Sequence, residues 1–479
     1  MTYSYKNIVK FGLIINIIIY LYCLIIAFDR SFWIDELHVI AVSKNIFNIS
    51  LKQVFIENIL HPPLYFYLVG ILNFFFDSLY SLRLVNVLGL IPLIYSLVLL
   101  KKNFKDINID FILLLIISNY FFFYYSIELK MYFLIYCLSF LQHTIFLIDI
   151  KQKKFKILFF ILSLLMTSIH IFGLVISMSI LTIYGIISLK NKNLVNFFYN
   201  LISSIILISL FAIMFYYSTL DINNFKAMNW IEFQKWYFRA FLEWSIPIGL
   251  FSMVFFLIVF LKNNIFNFFN LNSKTNFNLN IFYITLPSII LLITTVLISL
   301  KTPVITHRNL IVIAPAGILL CGLLSLRFFK YKGYELILIV LILITTYYNF
   351  FIFKNNTIYT IENIEWVIKK TYKKDCKNVP IYFNDNKKIL FEKMTNNAVD
   401  IYAMHYRELR RLSDLDTNTF NQLITMHPKC DVFIATFHER NFEKNLKKIF
   451  LNKTDLEIIL APDVLDKNTK SGAILISQK

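Results

Sequence analysis

Long apolar runs separated by short basic links set the pattern of this chain. Runs of about twenty residues, enough to cross a hydrocarbon core of about 30 Å, fall near 8–28, 84–100, 109–125, 131–149, 157–172, 174–189, 195–217, 244–261, 281–300, 309–326 and 335–353. They predict about eleven transmembrane helices. The first is read as a retained helix, because no small-residue cleavage site follows Ile26. A further run, Pro62 to Phe76, is short and opens on two prolines. Beyond residue 354 the pattern changes. Strand-like runs at 379–383, 431–436, 456–460 and 473–477 alternate with charged helical stretches at Tyr406–Leu412 and Phe442–Phe450, as in a small α/β domain. The expected organisation is an all-α polytopic membrane domain over 1–354, followed by an extracytoplasmic α/β domain over 355–479.

Composition excludes a soluble globule. Apolar residues make up 58% and charged residues 16% of the chain, against soluble norms of about 45–50% and about 25%. The net charge is +18. Residues 1–354 hold 27 bases and 13 acids, whereas 355–479 hold 20 and 16. Because the bases sit in links between apolar runs, they report membrane orientation and not nucleic-acid binding. If Pro62 to Phe76 lies along or dips into the membrane surface, 29–83 is one external loop carrying interfacial helices. The links around 101–105, 151–156, 190–192, 262–274 and 327–332 then join Lys6 and Lys10 on the cytoplasmic side, with sixteen bases against four acids. That arrangement satisfies the positive-inside rule. It gives a cytoplasmic N-terminus, a cytoplasmic link at 263–280 and an external C-terminal domain.

The five cysteines form no CxxC pair and no zinc spacing. Cys23, Cys137 and Cys321 read as small hydrophobes inside apolar runs. Cys376 and Cys430 each precede a strand-like run, and would form a disulfide only if those strands are neighbours in an oxidising compartment.

The same topology gathers ionisable residues on the outer face, where burial in the bilayer is costly. Asp35-Glu36 follows the first span, His61 and Arg83 lie in the same loop, and Glu128 and Lys130 occupy the next outer turn. His170 comes later, then Glu232 and Glu243 in the loop 218–243, then His307 and Arg308. Asp35-Glu36 reads either as a solvated acidic pair at a helix start or as a source of a general base for an acceptor hydroxyl. Adjacent helical positions diverge by about 100°, so the two do not form a proton-sharing dyad. Glu128 and Lys130 are a surface pair or two groups turned into one cleft. His307 and Arg308 are snorkelling cations or a grip for a lipid phosphate, for which Arg has a suitable planar fork. Asp35 with His38 could ligate a metal, but an i,i+3 pair is more often a hydrogen bond. His170 reads as a satisfied polar group, Tyr120–Tyr125 as an interfacial belt, and Arg83 as an anchor for the span it precedes.

The ordered series Trp33-x-Asp35-Glu36, His61-Pro-Pro-Leu-Tyr65, Ser81-Leu-Arg83, Tyr125-Ser-x-Glu128-Leu-Lys-Met-Tyr132 and Arg308 before an apolar run resembles bacterial members of the glycosyltransferase C superfamily. Within it, the series is most similar to family 39 (the dolichyl-phosphate-mannose protein mannosyltransferases) and the lipid A aminoarabinose transferases. The resemblance covers about residues 1–330. It implies an enzyme of the bacterial inner membrane that takes a sugar from a polyprenyl-phosphate donor and passes it, with inversion, to an acceptor outside. It further implies Asp35 as base with Glu36 in support, and Lys130 and Arg308 holding the leaving phosphate. His61, Arg83, Glu128 and His307 join the substrate-binding set. Lys130 departs from the common pattern, where Arg is frequent, and makes a point contact instead of a bidentate one. Some members of the superfamily require a divalent metal and others do not. Here no ligand set stands out, so no cofactor is assigned and a divalent metal stays open. The expected partners are the lipid-linked donor, an acceptor in protein, lipid A or surface glycan, and the bilayer.

Two other classes fit parts of the pattern. A flippase of lipid-linked sugars needs ionisable groups at mid-span on several helices, and mid-span charge is almost absent here. A polysaccharide ligase or polymerase would share the outer-face geometry and use a pyrophosphate-linked donor.

Overall fold

The computed structural model describes residues 3–28, 32, 34–57, 61–76, 78–104, 107–152, 155–219, 276–299, 308–328, 335–353, 381–383, 409–411, 422, 425–426, 432–436, 456–460 and 472–478. Outside them lie the apolar run 244–261, the loop residues Glu232 and Glu243, His307, Cys376, Cys430, the stretch Phe442–Phe450 and the first part of the link 263–280. The chain divides into two compact units: Met1–Ile25 with Ile46–Phe353, and Ile26–Asn45 with Lys354–Lys479.

The described part of the first unit is helical. It contains most of α1 (Tyr3–Phe28), while α2 (Ile34–Asn45) belongs to the second unit. The first unit continues with α3 (Leu51–Glu57), α4 (Leu64–Phe75), a 3₁₀ helix (Leu79–Gly89), α5 (Leu90–Asn103), α6 (Ile109–Ile117), α7 (Tyr120–Ile127), α8 (Tyr132–Gln152) and α9 (Lys156–Ile169). Then come α10 (Ile171–Lys190), α11 (Leu194–Thr219), α12 (Asn276–Ser299), a short 3₁₀ helix (Asn309–Ile313), α13 (Ala314–Phe328) and α14 (Glu335–Phe353). Among the described residues, four segments are long and apolar enough to cross a membrane: Tyr5–Ile25, Tyr80–Asn103, Ile171–Lys190 and Leu194–Tyr217. Shorter apolar helices accompany them, and the protein is a multi-pass membrane protein. With 12 residues, α4 is about 18 Å long, short of a hydrocarbon core of about 30 Å.

Burial explains why these segments pack as they do. α8 lies against α5, α9, α10, α12 and α13, and every residue of 131–148 is buried. A helix apolar all round is stable only in such a central position. Its polar residues find partners on the surrounding segments: the Gln142 amide donates to Ser163 Oγ at 3.0 Å and Ser177 Oγ at 2.8 Å, and Ser139 Oγ donates to the Val312 carbonyl at 2.6 Å. By contrast, Ile202, Ile205, Ile208 and Ile213 of α11 are exposed, as a lipid-facing stripe requires. α1 and α14 approach closely at Gly12, where an added Cβ would meet Ile342 Cδ1 at 2.7 Å. Asn16 accepts there from the Thr346 hydroxyl at 3.2 Å, an interhelical bond of the kind that stabilises helix pairs in lipid.

Two runs depart from simple helices. The expected single span at 109–125 breaks at Ser118-Asn119, where Ser118 N donates to the Leu114 carbonyl at 2.8 Å and Asn119 starts α7 by accepting from Phe122 N at 3.0 Å. Short polar side chains of this kind favour helix ends over helix interiors. The run at 84–100 begins inside the 3₁₀ helix, in which residues three apart share a face. Leu82/Val85 and Arg83/Asn86 are buried there, while Leu84 and Val87 are exposed.

In the second unit, β1 (Ile381–Phe383), β2 (Leu409–Arg411), β3 (Val432–Thr436), β4 (Leu456–Leu460) and β5 (Gly472–Gln478) form one sheet in the order β2-β1-β3-β5-β4. β1 pairs in parallel with β2 and β3, and β5 pairs antiparallel with β3 and β4. Leu409–Arg411 falls in a stretch expected to be helical and is instead an edge strand. Pairing with β1 is set by tertiary structure, which overrides the local charge pattern.

Candidate functional site

One end of the first unit collects polar side chains from five separated segments. Its frame is Asn86, on the inward face of the 3₁₀ helix. The Asn86 amide donates to the carbonyls of Tyr125 at 3.2 Å, Ser126 at 3.2 Å and Glu128 at 2.7 Å, and its oxygen accepts from the Tyr65 hydroxyl at 3.2 Å. The turn between α7 and α8 is thereby pinned to the 3₁₀ helix and to α4. Within that turn Lys130 N donates to the Glu128 carbonyl at 2.7 Å, a tight i to i+2 closure. It is this closure that carries Glu128 and Lys130 inward: the first is fully buried and the second nearly so. A buried ammonium and carboxylate are expensive to desolvate and mark function by default.

Arg83, one 3₁₀ turn before Asn86, is also buried, with its guanidinium 5.9 Å from the Tyr80 ring centroid. Arg308, half-buried, precedes the short 3₁₀ helix Asn309–Ile313. The charges of Arg308 and Glu128 both reach the buried Tyr125 hydroxyl, so the turn at 128–130 and the distant Arg308 share one region. An aromatic chain extends it. The Tyr125 and Tyr132 ring centroids lie 5.0 Å apart, Tyr132 and His170 5.8 Å, and His170 and His61 6.0 Å.

His170 sits at the corner between α9 and α10, where its Nδ1 accepts from Phe172 N at 3.2 Å. Burial pushes its pKa down from 6.5 to about 4, because a desolvated imidazolium is disfavoured. The corner is tight. A Cβ on Gly173 would collide with the Met166 carbonyl.

The first unit thus brings His61, Arg83, Glu128, Lys130 and Arg308 to one end of its helices. Asp35 and Glu36 lie in α2, in the second unit. Glu36 and His38 are buried, while the Asp35 side chain lies outside the described residues, as does His307. Among the described residues, no group of three or more His, Cys, Asp or Glu side chains clusters as a metal site. Asn86 and the proximity of His61 to His170 were not foreseen from the sequence. Asn86 lies inside an apolar run with partners some forty residues away, and only the Tyr65 of the His-Pro-Pro-Leu-Tyr motif hinted at one of them.

No family model matches the sequence, and no curated protein matches it. Solved structures do. The crystal structure of ArnT from Cupriavidus metallidurans in the apo state aligns over 97% of this chain and 97% of that chain, with a TM-score of 0.55 and 10% identity. The same protein bound to undecaprenyl phosphate aligns over the same shares, with a TM-score of 0.55 and 9% identity.

The chain has the fold of ArnT. At 97% coverage, the likeness to ArnT extends over almost the whole chain, well beyond residues 1–330.

Proposed function

We propose that this protein is a membrane glycosyltransferase that moves a sugar from a polyprenyl-phosphate donor to an acceptor hydroxyl at the outer face of a bacterial inner membrane, with inversion at the anomeric carbon. What carries the reading is the gathering of buried Lys130 and Glu128 with Arg308 at one helix end, in a fold shared with a protein crystallised with undecaprenyl phosphate. A lipid phosphate at headgroup depth needs cations held out of bulk water, and these residues supply them.

In this reading the acceptor oxygen attacks the anomeric carbon opposite the leaving group. The carbon–oxygen bond to phosphate breaks as the new glycosidic bond forms, and the acceptor proton passes to the Asp35 carboxylate. Glu36 supports Asp35. Lys130 and Arg308 stabilise the charge that grows on the departing polyprenyl phosphate, an interaction stronger in the transition state than in the ground state. Arg83, His61 and His307 line the donor, and Glu128 orients it. The acceptor belongs to protein, lipid A or a surface glycan, the N-terminus is cytoplasmic, and the C-terminal domain lies on the acceptor side. Family 39 is the assignment favoured by the ordered motifs.

The transport reading is weaker. Gln142 lies deep in α8, where its amide nitrogen donates to Ser163 and Ser177, and uncharged groups of this kind do not build a path for a sugar phosphate.

The test is single-turnover consumption of purified polyprenyl-phosphate sugars by the full chain in detergent. Asp35→Asn is expected to lower the rate by about 10²–10⁴ with normal membrane insertion, while Lys130→Ala and Arg308→Ala weaken donor binding. Undiminished transfer by Asp35→Asn would remove that residue as the base. Consumption of pyrophosphate-linked but not monophosphate-linked donors would replace the reading with a ligase or polymerase.

A further inference from the structure

The opposite end of α9 and α10 carries a second polar site. α9 has 14 residues and α10 has 20, so this end is about 20–30 Å from His170. A cleft of about 40 Å³ opens there between the start of α9, the end of α10 and the start of α11, lined by Lys156, Ser188, Asn193, Asn196, Tyr199 and Asn200 among others. Such a volume holds about three waters or one phosphate group.

Its chemistry points to an anion. Among the described residues the Lys156 ammonium meets an amide oxygen, that of Asn196, and no carboxylate. Two helix N-termini converge on the cleft, at Lys156 of α9 and at Asn193, whose Oδ1 caps α11 by accepting from Asn196 N at 3.1 Å. Both ends carry partial positive charge. Ser188 and Asn200 are each about nine-tenths buried, line the cleft, and have side chains with no hydrogen-bond partner among the described residues. Besides the bonds of their own helices, their backbone carbonyls accept from Asn193 N at 2.8 Å and from Ser204 Oγ at 2.9 Å. Buried polar side chains are normally satisfied, so a hydroxyl and an amide left open toward a basic cleft describe donors awaiting an acceptor.

The connection from α10 to α11 adds charge. Lys192 has φ 52°, and the Asn193 and Lys192 amides close back on the Ser188 and Leu189 carbonyls at 2.8 and 2.9 Å. This is a helix end at which glycine is usual; lysine bears the conformational cost and brings a cation beside the cleft. Around it Ile157, Leu194 and Val195 are exposed apolar residues, a surface for acyl chains and not for water.

We infer that this cleft binds the phosphate of an anionic phospholipid, with the acyl chains against α9 and α11. Basic pockets between membrane helices recognise headgroups in this way. The site is separate from the proposed donor site and does not depend on it.

The experiment is native mass spectrometry of the full chain released from nanodiscs containing phosphatidylglycerol and phosphatidylcholine in equal amounts. The wild type is expected to retain phosphatidylglycerol preferentially. Lys156→Gln and Asn200→Leu should each cut that retention by roughly five- to tenfold, with thermal unfolding confirming that each variant is folded. Lys156→Gln alone carries the test if Asn200→Leu does not fold, because Lys156 is only partly buried. Inorganic phosphate at matching concentration should leave the lipid in place. Equal retention by wild type and Lys156→Gln, retention without headgroup preference, or displacement by inorganic phosphate would each overturn the inference.

Discussion

Asn86 engages four groups with one carboxamide: three carbonyls of the turn that carries Lys130, and the Tyr65 hydroxyl. Leucine is close in size but takes the Asn86 donor away from all three carbonyls, of which the Glu128 carbonyl keeps the Lys130 N–H. Asn86→Leu is therefore expected to destabilise the protein by about 2–3 kcal/mol, read as a lowered thermal midpoint in detergent, and to weaken binding of the proposed donor because the turn loosens. An unchanged midpoint would show that water or neighbouring groups replace the amide. His170 gives a pH signature. Its pKa falls from 6.5 to about 4 on burial, so the unfolded chain takes up the proton first as pH drops. Stability from this group is intact above pH 6.5, declines toward pH 4 and is level below. The midpoint of His170→Asn should accordingly fall less than that of the wild type between those values, and parallel profiles would contradict the burial argument. Glu128, Lys130 and Arg83 were legible in the sequence because a charge beside an apolar run needs a reason. Asn86 was not, since an isolated amide inside such a run carries no spacing signal, and its partners are set by tertiary structure.

At the scale of elements, hydrophobic run length located the helices among the described residues, because each crossing demands apolar length and internally bonded backbone. Their interruptions were harder to see. The break at Ser118-Asn119 rests on two residues that are weak helix formers, yet tolerable inside a span, so composition alone did not decide it. The period-three burial of Leu82, Arg83, Val85 and Asn86 differs from a 3.6-residue period by too little to show over eleven residues. Leu409–Arg411 reads as helical by charge and pairs as an edge strand. The contact between α1 and α14 yields a prediction at this level. Gly12 admits Ile342 only because it lacks a Cβ, so Gly12→Leu should force the helices apart and cost about 1–3 kcal/mol. The readout is again thermal unfolding in detergent. A wild-type midpoint would mean that the flexible end of Ile342 simply moves aside.

For the molecule as a whole, composition and apolar run length pointed to a membrane protein, and the likeness to ArnT extends over 97% of the chain. That breadth was not readable from motifs, which stop near residue 330, because the C-terminal sheet is specified by generic strand alternation and not by chemistry-bearing residues. The placement of Ile26–Asn45 with Lys354–Lys479 in one compact unit was equally invisible. Nothing local in the sequence announces a partner more than three hundred residues away.

The surroundings of α8 bear on how the protein is made. That helix has no side suited to lipid, and the Ser139 hydroxyl finds its acceptor at Val312, which the ribosome adds 173 residues later. A nascent chain that has threaded α8 but not yet α13 holds a hydrophilic patch inside the bilayer with its neighbours missing. Maturation of this core is therefore a late, cooperative event, and a polypeptide halted before residue 312 should be a substrate for membrane quality control and not a partially working protein.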